Sequence, residues 1–260
     1  MSKHLFLVAL AAVLVLGGCG ADRGFEAAGT TNGATSIVDP QALAVDVIAA
    51  AGWPIEDDQY EGLLGCGDAI PIDREDLGGG IAHYSYRLQI GAGPYDAIGL
   101  HRVVKEACPG HPIKARKAIF MQHGDAAAFE GVFLFGSRSL NVSNDHSLAY
   151  YLAANEVDVW GIDQNWTLVP QTVTDFSFMA GWGLQNQIEN LDIAVTVARF
   201  VRLMTKAGPG KLHLLGFSSG AWTGYGLVNM ETQKSDRERN VLGFIPVEAV
   251  FKTDDPNTQA

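Results

Sequence analysis

Hydrophobic positions along the chain recur with two different periods, which predict strands and helices in turn. Alternating or continuous apolar runs predict strands over residues 81–89, 97–104, 117–122, 157–162, 212–217 and 241–251. Apolar residues at helical spacing predict helices over residues 41–52, 146–155, 186–206 and 220–234. Residues 53–80 have the composition of a loop. Strands that alternate with helices indicate an α/β fold, in which helices cover both faces of a mostly parallel, twisted sheet.

The first two predicted strands have the pattern of a hairpin. Tyr84, Tyr86 and Leu88 fall on one face of the segment 81–89, as expected for a strand with a buried face. The sequence GAGP then breaks the pattern before the segment 97–104. We therefore expect these two strands to be antiparallel.

The first 18 residues have the pattern of a lipoprotein signal peptide. Lys3 is followed by 12 apolar residues, which are too few to span a bilayer as a helix. The run ends in LGGC, which resembles a bacterial lipobox and predicts that Cys19 is lipidated. An ordinary secretory peptide is the alternative. A lipidated Cys19 would anchor an exported protein to the membrane of the bacterial cell envelope, at the outer membrane or the cell surface.

Composition divides the rest of the chain and excludes one class of partner. Residues 19–40 are rich in Gly, Ala, Thr and Asn and predict a flexible tether, so the folded domain is expected over residues 41–260. The chain is 47% hydrophobic, enough for a sizeable core. Its net charge of −11 argues against binding to DNA or RNA, whose phosphates repel an acidic surface.

Besides Cys19, the chain contains two cysteines, Cys66 and Cys108. In an oxidising compartment they are expected to form a disulfide, and two free buried thiols are the alternative. We expect these cysteines to form the disulfide rather than a zinc site.

The candidate nucleophile is Ser218, in the sequence GFSSG at residues 216–220. This matches G-x-S-x-G, and it follows a predicted buried strand and opens a predicted helix. The glycines let strand and helix approach closely, which leaves the serine on a sharp turn above the edge of the sheet. The backbone N–H of Ser219 could then face a developing oxyanion. The alternative is a Gly-Ser loop without chemistry.

A second candidate element follows the strand at residues 117–122. The sequence His123, Gly124, Asp125 comes where this kind of fold supplies its other oxyanion donor. We assign that donor to the N–H of Asp125, with His123 and Gly124 shaping the loop. A surface histidine in an ordinary turn is the alternative.

These motifs together resemble the α/β-hydrolase superfamily. The similarity covers about residues 81–251 and is greatest to the gastric and lysosomal acid lipase branch, in the segments KAIFMQHG, NVSNDHSLAYYLAANEVDVWGIDQNW, LDIAV and LHLLGFSSGA. The sequence DQNW at residues 163–166 differs from that branch. The resemblance implies a serine hydrolase that acts on small-molecule or lipid carboxylic esters without metal or cofactor. Ser218 matches the nucleophile, and Asp125 and Ser219 match the oxyanion positions.

The base of a catalytic triad is missing from the expected place. This fold orders its triad as Ser, then Asp or Glu, then His. All seven histidines precede Ser218, and His213 is expected to be buried within a strand. We therefore expect a hydrolase domain that lacks its last strands, and a fragment that is inactive without a downstream acid and histidine. Asp254 or Asp255 is a candidate acid, although a polar loop is the simpler interpretation. A non-catalytic, lipid-anchored binding protein that keeps the hydrolase scaffold is the alternative function.

Overall fold

The computed structural model describes residues 38–55, 72–208 and 210–249. The predicted signal peptide, Cys19, Cys66, Asp254, Asp255 and nearly all of the tether lie outside these residues. The helices are α1 (Pro40–Ala51), α2 (Phe129–Phe133), α3 (Leu148–Ala154), α4 (Leu184–Met204) and α5 (Ser219–Thr232). The strands are β1 (Ile72–Gly78), β2 (Ile81–Gln89), β3 (Ala97–Cys108), β4 (His111–Pro112), β5 (Lys117–Gln122), β6 (Val157–Asp163), β7 (Leu212–Phe217) and β8 (Val241–Val247). Within the described ranges, no helix is both long and apolar enough to cross a membrane.

The strands form one mixed sheet in the order β1-β2-β3-β6-β5-β7-β8, with the short β4 paired to β3. Strands β5 to β8 are parallel to one another, β3 is antiparallel to β6, and β2 is antiparallel to β3. Thus β2 and β5 to β8 share one direction, while β1 and β3 oppose it. These pairings confirm the predicted mostly parallel sheet and the predicted antiparallel pairing of β2 with β3. The carboxyl ends of β5, β6 and β7 meet at one edge of the sheet, where ligands bind in open α/β sheets.

Two strands were not predicted, the two-residue β4 and the longer β1. Residues 72–78 were expected to be loop, but they form β1, which pairs with β2 along the sheet edge. Its sequence IDREDLG is mostly polar, and only Leu77 is buried. A polar edge strand gives no hydrophobic signal, because the neighbouring strand supplies its pairing and solvent covers its outer side.

Each face of the sheet packs against its own helices. Helices α1, α4 and α5 cover one face, and α2 and α3 cover the other. The first layer includes Phe120, Trp160 and Leu214, and the second includes Phe129 and Val159. The predicted arrangement of helices on both faces is therefore confirmed.

A buried ion cluster lies inside the first layer. Asp158 of β6 is fully buried and accepts hydrogen bonds from Arg102 at 2.8 and 3.0 Å and from Arg202 of α4. The Arg102 guanidinium also lies 4.5 Å from the ring of Trp53 and 4.9 Å from that of Trp160. One carboxylate thus holds two arginines between a strand and a helix, in a region with little solvent to stabilise unpaired charge.

Candidate active site

The corner between β7 and α5 places Ser218 in an unusual backbone conformation. Its φ is 55° and its ψ is −127°, a region that residues other than glycine rarely occupy. The Ser218 N–H donates to the carbonyl of Val247 at 2.9 Å, and its carbonyl accepts from Ala221 at 2.9 Å. These bonds join the corner to β8 and to the first turn of α5. Strain of this kind persists only where the surrounding structure holds it, and it is common at functional sites.

The two glycines of the motif allow β7, α5 and the loop after β5 to pack together. A methyl group built on Gly216 would lie 2.6 Å from the carbonyl oxygen of Gly220. One built on Gly220 would lie 2.2 Å from the carbonyl oxygen of His123 and 2.7 Å from that of Gln122. Both positions therefore exclude a side chain because backbone atoms occupy the space.

We expect Gly220→Ala to destabilise the protein by about 1–3 kcal/mol, the usual cost of forcing extra atoms into packed structure. Urea denaturation at equilibrium measures the change. Gly181→Ala is the matched control, because Gly181 is exposed and a methyl group there meets nothing within 4 Å. Equal stability of the two variants would show that the loop after β5 is not packed against the corner.

The loop predicted to supply an oxyanion donor lies directly against Ser218. A methyl group built on Gly124 would be 2.8 Å from the Ser218 Cβ and 3.4 Å from its Oγ. Asp125 follows with an exposed side chain, and Ala126 has a φ of 59°. The structure therefore brings together the two motifs that the sequence separates by more than 90 residues.

His123 is buried, and both of its ring nitrogens are engaged. Its Nδ1–H donates to the carbonyl of Gly124 at 2.7 Å, and its Nε2 accepts from the backbone N–H of Gln164 at 3.1 Å. Burial lowers the pKa of His123, which favours this neutral form. The histidine therefore fixes the loop between β5 and β6. It has no free nitrogen with which to accept a proton from Ser218.

Sequence reasoning missed a network of buried amides behind the loop. The Gln122 side chain donates to the carbonyl of His123 at 2.8 Å and accepts from Gln164 at 2.9 Å. Gln164 in turn accepts from Asn190 of α4 at 3.1 Å. These three residues are far apart in sequence and form no motif. The one signal was the polar sequence DQNW, which directly follows an apolar strand.

The other described histidines do not contact the Ser218 Oγ. His111 and His146 are exposed and bond to Pro109 and Asp145. His213 was expected to be buried but is exposed, because its neighbour on β8 is Gly243, which has no side chain to cover it. His83 and His101 lie on the face of the sheet that α2 and α3 cover, and they bond to each other at 2.9 Å. Burial and the neighbouring His101 lower the pKa of His83 to about 3.

No described residue forms a hydrogen bond with the Ser218 Oγ. The described part of the chain thus contains a strained serine, a glycine loop against it and the start of a helix, but no base in contact with the hydroxyl. Cys108 lies exposed at the end of β3, and its expected partner Cys66 is outside the described residues, so the disulfide stays a prediction.

Comparison with known proteins identifies the fold. No family model matches the chain, and no curated protein matches it. Among solved structures, a protein of Sulfolobus solfataricus that is provisionally assigned as a lipase aligns over 74% of this chain with a TM-score of 0.54 and 20% identity. The chain has the α/β-hydrolase fold, as predicted.

Two esterase structures align less well. A cold-adapted esterase from an Arctic intertidal metagenomic library aligns over 66% of this chain and 62% of its own, with 13% identity and a TM-score of 0.41. One of two fungal esterases from Rhizomucor miehei aligns over 86% of this chain and 57% of its own, with 15% identity and a TM-score of 0.40. The chain covers only 55% of the Sulfolobus protein.

Proposed function

We propose that Ser218 is the nucleophile of an enzyme that hydrolyses carboxylic esters. The observation that carries this proposal is the conformation of Ser218, a serine with a φ of 55° between a parallel strand and a helix. Such a corner presents a hydroxyl at the edge of the sheet where strands end and substrates bind. The ψ of −127° sets Ser218 apart from the ordinary left-handed turn conformation, whose ψ is about +47°.

The surroundings of Ser218 suit the stabilisation of an oxyanion. Ser219 is the first residue of α5, where backbone N–H groups are not used within the helix and carry partial positive charge. Gly124 brings the loop after β5 against the other side of the serine. In the proposed reaction, the N–H groups of Ser219 and Asp125 donate to the carbonyl oxygen as it becomes negative. Donors fixed in this way are worth about 3–4 kcal/mol each in related chemistry.

The proposed reaction proceeds in two steps. The Ser218 Oγ forms a bond to the ester carbonyl carbon, its proton passes to a base and then to the leaving alcohol, and an acyl-enzyme results. Water then attacks the acyl group and releases the acid. No described residue bonds to the Oγ, so the proposal assigns the base to no particular residue.

Free imidazole tests this proposal, because it can replace an absent histidine side chain. We expect the chain to hydrolyse p-nitrophenyl acetate faster in the presence of imidazole than imidazole in buffer alone does. A fluorophosphonate probe should also form an adduct that peptide mass spectrometry locates at Ser218. Absence of both the added rate and the adduct, in a protein shown to be folded by circular dichroism, would contradict the proposal.

One observation favours a second function. The lack of a described partner for the Ser218 Oγ is what a scaffold retained for binding would show. This alternative is a lipid-anchored binding protein without catalysis. It predicts a cooperatively folded chain that neither hydrolyses esters with imidazole nor reacts with the probe, so the same experiment separates the two functions.

We further propose that the protein, whether it is an esterase or a binding protein, is exported and attached to the cell envelope through Cys19. The apolar segment that ends in LGGC supports this proposal. Mass spectrometry of the mature N-terminus tests it, because lipidation would leave a modified Cys19 as the first residue.

A further inference from the structure

Two histidines meet beneath α2, on the face of the sheet away from α4. His83 of β2 and His101 of β3 are only 3% and 5% exposed. Their rings are nearly parallel, with an interplanar angle of 17°, and His101 also stacks on Phe129 at 4.6 Å. A buried polar pair of this kind needs partners that offset its loss of water.

A carboxylate from α2 completes a group of three possible ligands. The Nε2 of His83 lies 2.9 Å from the Nδ1 of His101, and the Nδ1 of His83 lies 3.8 Å from a carboxylate oxygen of Glu130. One ligand atom from each of the three residues lies within 4.8 Å of the other two. Ligand atoms around a tetrahedral zinc ion are about 3.3 Å apart, a spacing that follows from bond lengths near 2.0–2.1 Å. His83 faces His101 with one ring nitrogen and Glu130 with the other, so its ring would turn for a single nitrogen to bind the ion together with both partners.

The surroundings of the group resemble those that hold metal ligands in place. The Nε2 of His101, on the side of the ring away from His83, lies 3.2 Å from the carboxylate of Asp163. Asp163 itself accepts the backbone N–H of Phe129 at 2.6 Å. Histidine ligands usually donate their second N–H to a carboxylate, which fixes the ring and raises the basicity of the ligating nitrogen. Arg138 forms an ion pair with Glu130 and restrains that carboxylate as well.

Glu75 lies between the group and solvent. Glu75 of β1 has a half-exposed side chain, and its carboxylate lies 3.8 Å from the Nδ1 of His83. It approaches the same nitrogen as Glu130 does and could supply a fourth ligand or guide an ion inward. A metal site needs such an entry route as well as its ligands.

We propose that His83, His101 and Glu130 bind a divalent transition-metal ion, with Glu75 or water as a fourth ligand. Two imidazoles and a carboxylate are a ligand set typical of zinc, whereas calcium and magnesium prefer oxygen ligands alone. The ion would connect β2 and β3 to α2 and thereby stabilise the sheet end that lies under this helix. The site does not depend on the proposed ester hydrolysis, because none of its residues contacts Ser218.

Titration with Zn²⁺ in competition with a chromophoric chelator tests the site. The chain, stripped of metal, is expected to bind one equivalent. His83→Gln and Glu130→Gln should each weaken binding by about 100-fold, and Asp163→Asn by about 10–100-fold, because it removes the carboxylate that lies 3.2 Å from the Nε2 of His101. His213→Gln is the matched control, since His213 is an exposed histidine on β7 outside the group, and its affinity should equal that of the wild type.

A second measurement keeps the proposal testable if a buried variant folds poorly. Co²⁺ added to the wild-type chain should give the visible absorption of a four-coordinate site, and one equivalent of Zn²⁺ should remove it. Zn²⁺ affinities that are the same in His83→Gln, Glu130→Gln and His213→Gln would overturn the proposal. So would a wild-type chain that binds neither ion more tightly than the chelator does.

Discussion

Ser218→Ala is expected to remove all ester hydrolysis above the rate of imidazole in buffer. The substitution deletes the proposed nucleophile, and loss of a nucleophile in a complete triad costs about 10⁶-fold in rate. Initial rates with p-nitrophenyl acetate, measured at several imidazole concentrations, give the comparison. With Ser218→Ala, the rise in hydrolysis rate with imidazole concentration should equal that of imidazole in buffer, because the proposed nucleophilic hydroxyl is gone.

Ser219→Ala is the matched control for this experiment. It removes a neighbouring hydroxyl of the same size but retains the backbone N–H that is proposed to face the oxyanion. We expect it to keep most of the imidazole-dependent rate. If Ser219→Ala lost the activity and Ser218→Ala kept it, the nucleophile would be Ser219 and the assignment of the corner would be wrong.

Asp158→Asn is expected to destabilise the protein by about 3–5 kcal/mol, the usual cost of removing one partner from a buried ion pair. The amide cannot balance the charges of Arg102 and Arg202, both of which are almost completely buried. Urea denaturation at neutral pH measures the loss. Asp236→Asn, which breaks an exposed pair with Lys211, is the control and should change stability little.

The pH dependence of the stability difference between wild type and Asp158→Asn follows from the pKa of Asp158. Burial alone would raise that pKa, but the charges of Arg102 and Arg202 outweigh burial and lower it below the usual value. A carboxyl with a lowered pKa contributes its stability above the unfolded-state pKa, about 3.9, and loses it as the pH falls through the folded-state value. The gap between wild type and Asp158→Asn should therefore be complete at neutral pH and shrink below about pH 4. A gap that widened in acid would contradict the role given to Asp158.

The sequence predicts those parts of the fold whose signals are local. The strands at residues 81–89, 117–122 and 212–217 have the predicted bounds, because each is an alternating or continuous apolar segment that ends at a turn. The corner at Ser218 could also be predicted from the sequence, since its glycines and its flanking strand and helix are contiguous. Strand β1 was not visible, because an exposed edge strand can be polar on both sides.

Features built from distant residues could not be predicted in the same way. His83 and His101 are 18 residues apart and become neighbours only through the register of β2 and β3. Gln122, Gln164 and Asn190 come from three different parts of the chain. The exposure of His213 depends on the absence of a side chain at Gly243 on the next strand. In each case the partner is set by tertiary packing, for which a single sequence has no periodic signal.

The hydrogen bond from Ser218 to Val247 has a consequence for the order of folding. It closes a loop of about 30 residues, and the contact between Ser218 and Gly124 closes one about three times as long. Long loops of this kind are costly in entropy and form late. The corner at Ser218 should therefore be among the last parts of the domain to acquire its native shape, after β8 has docked beside β7. A nascent chain would carry an ordinary, unstrained serine until that moment.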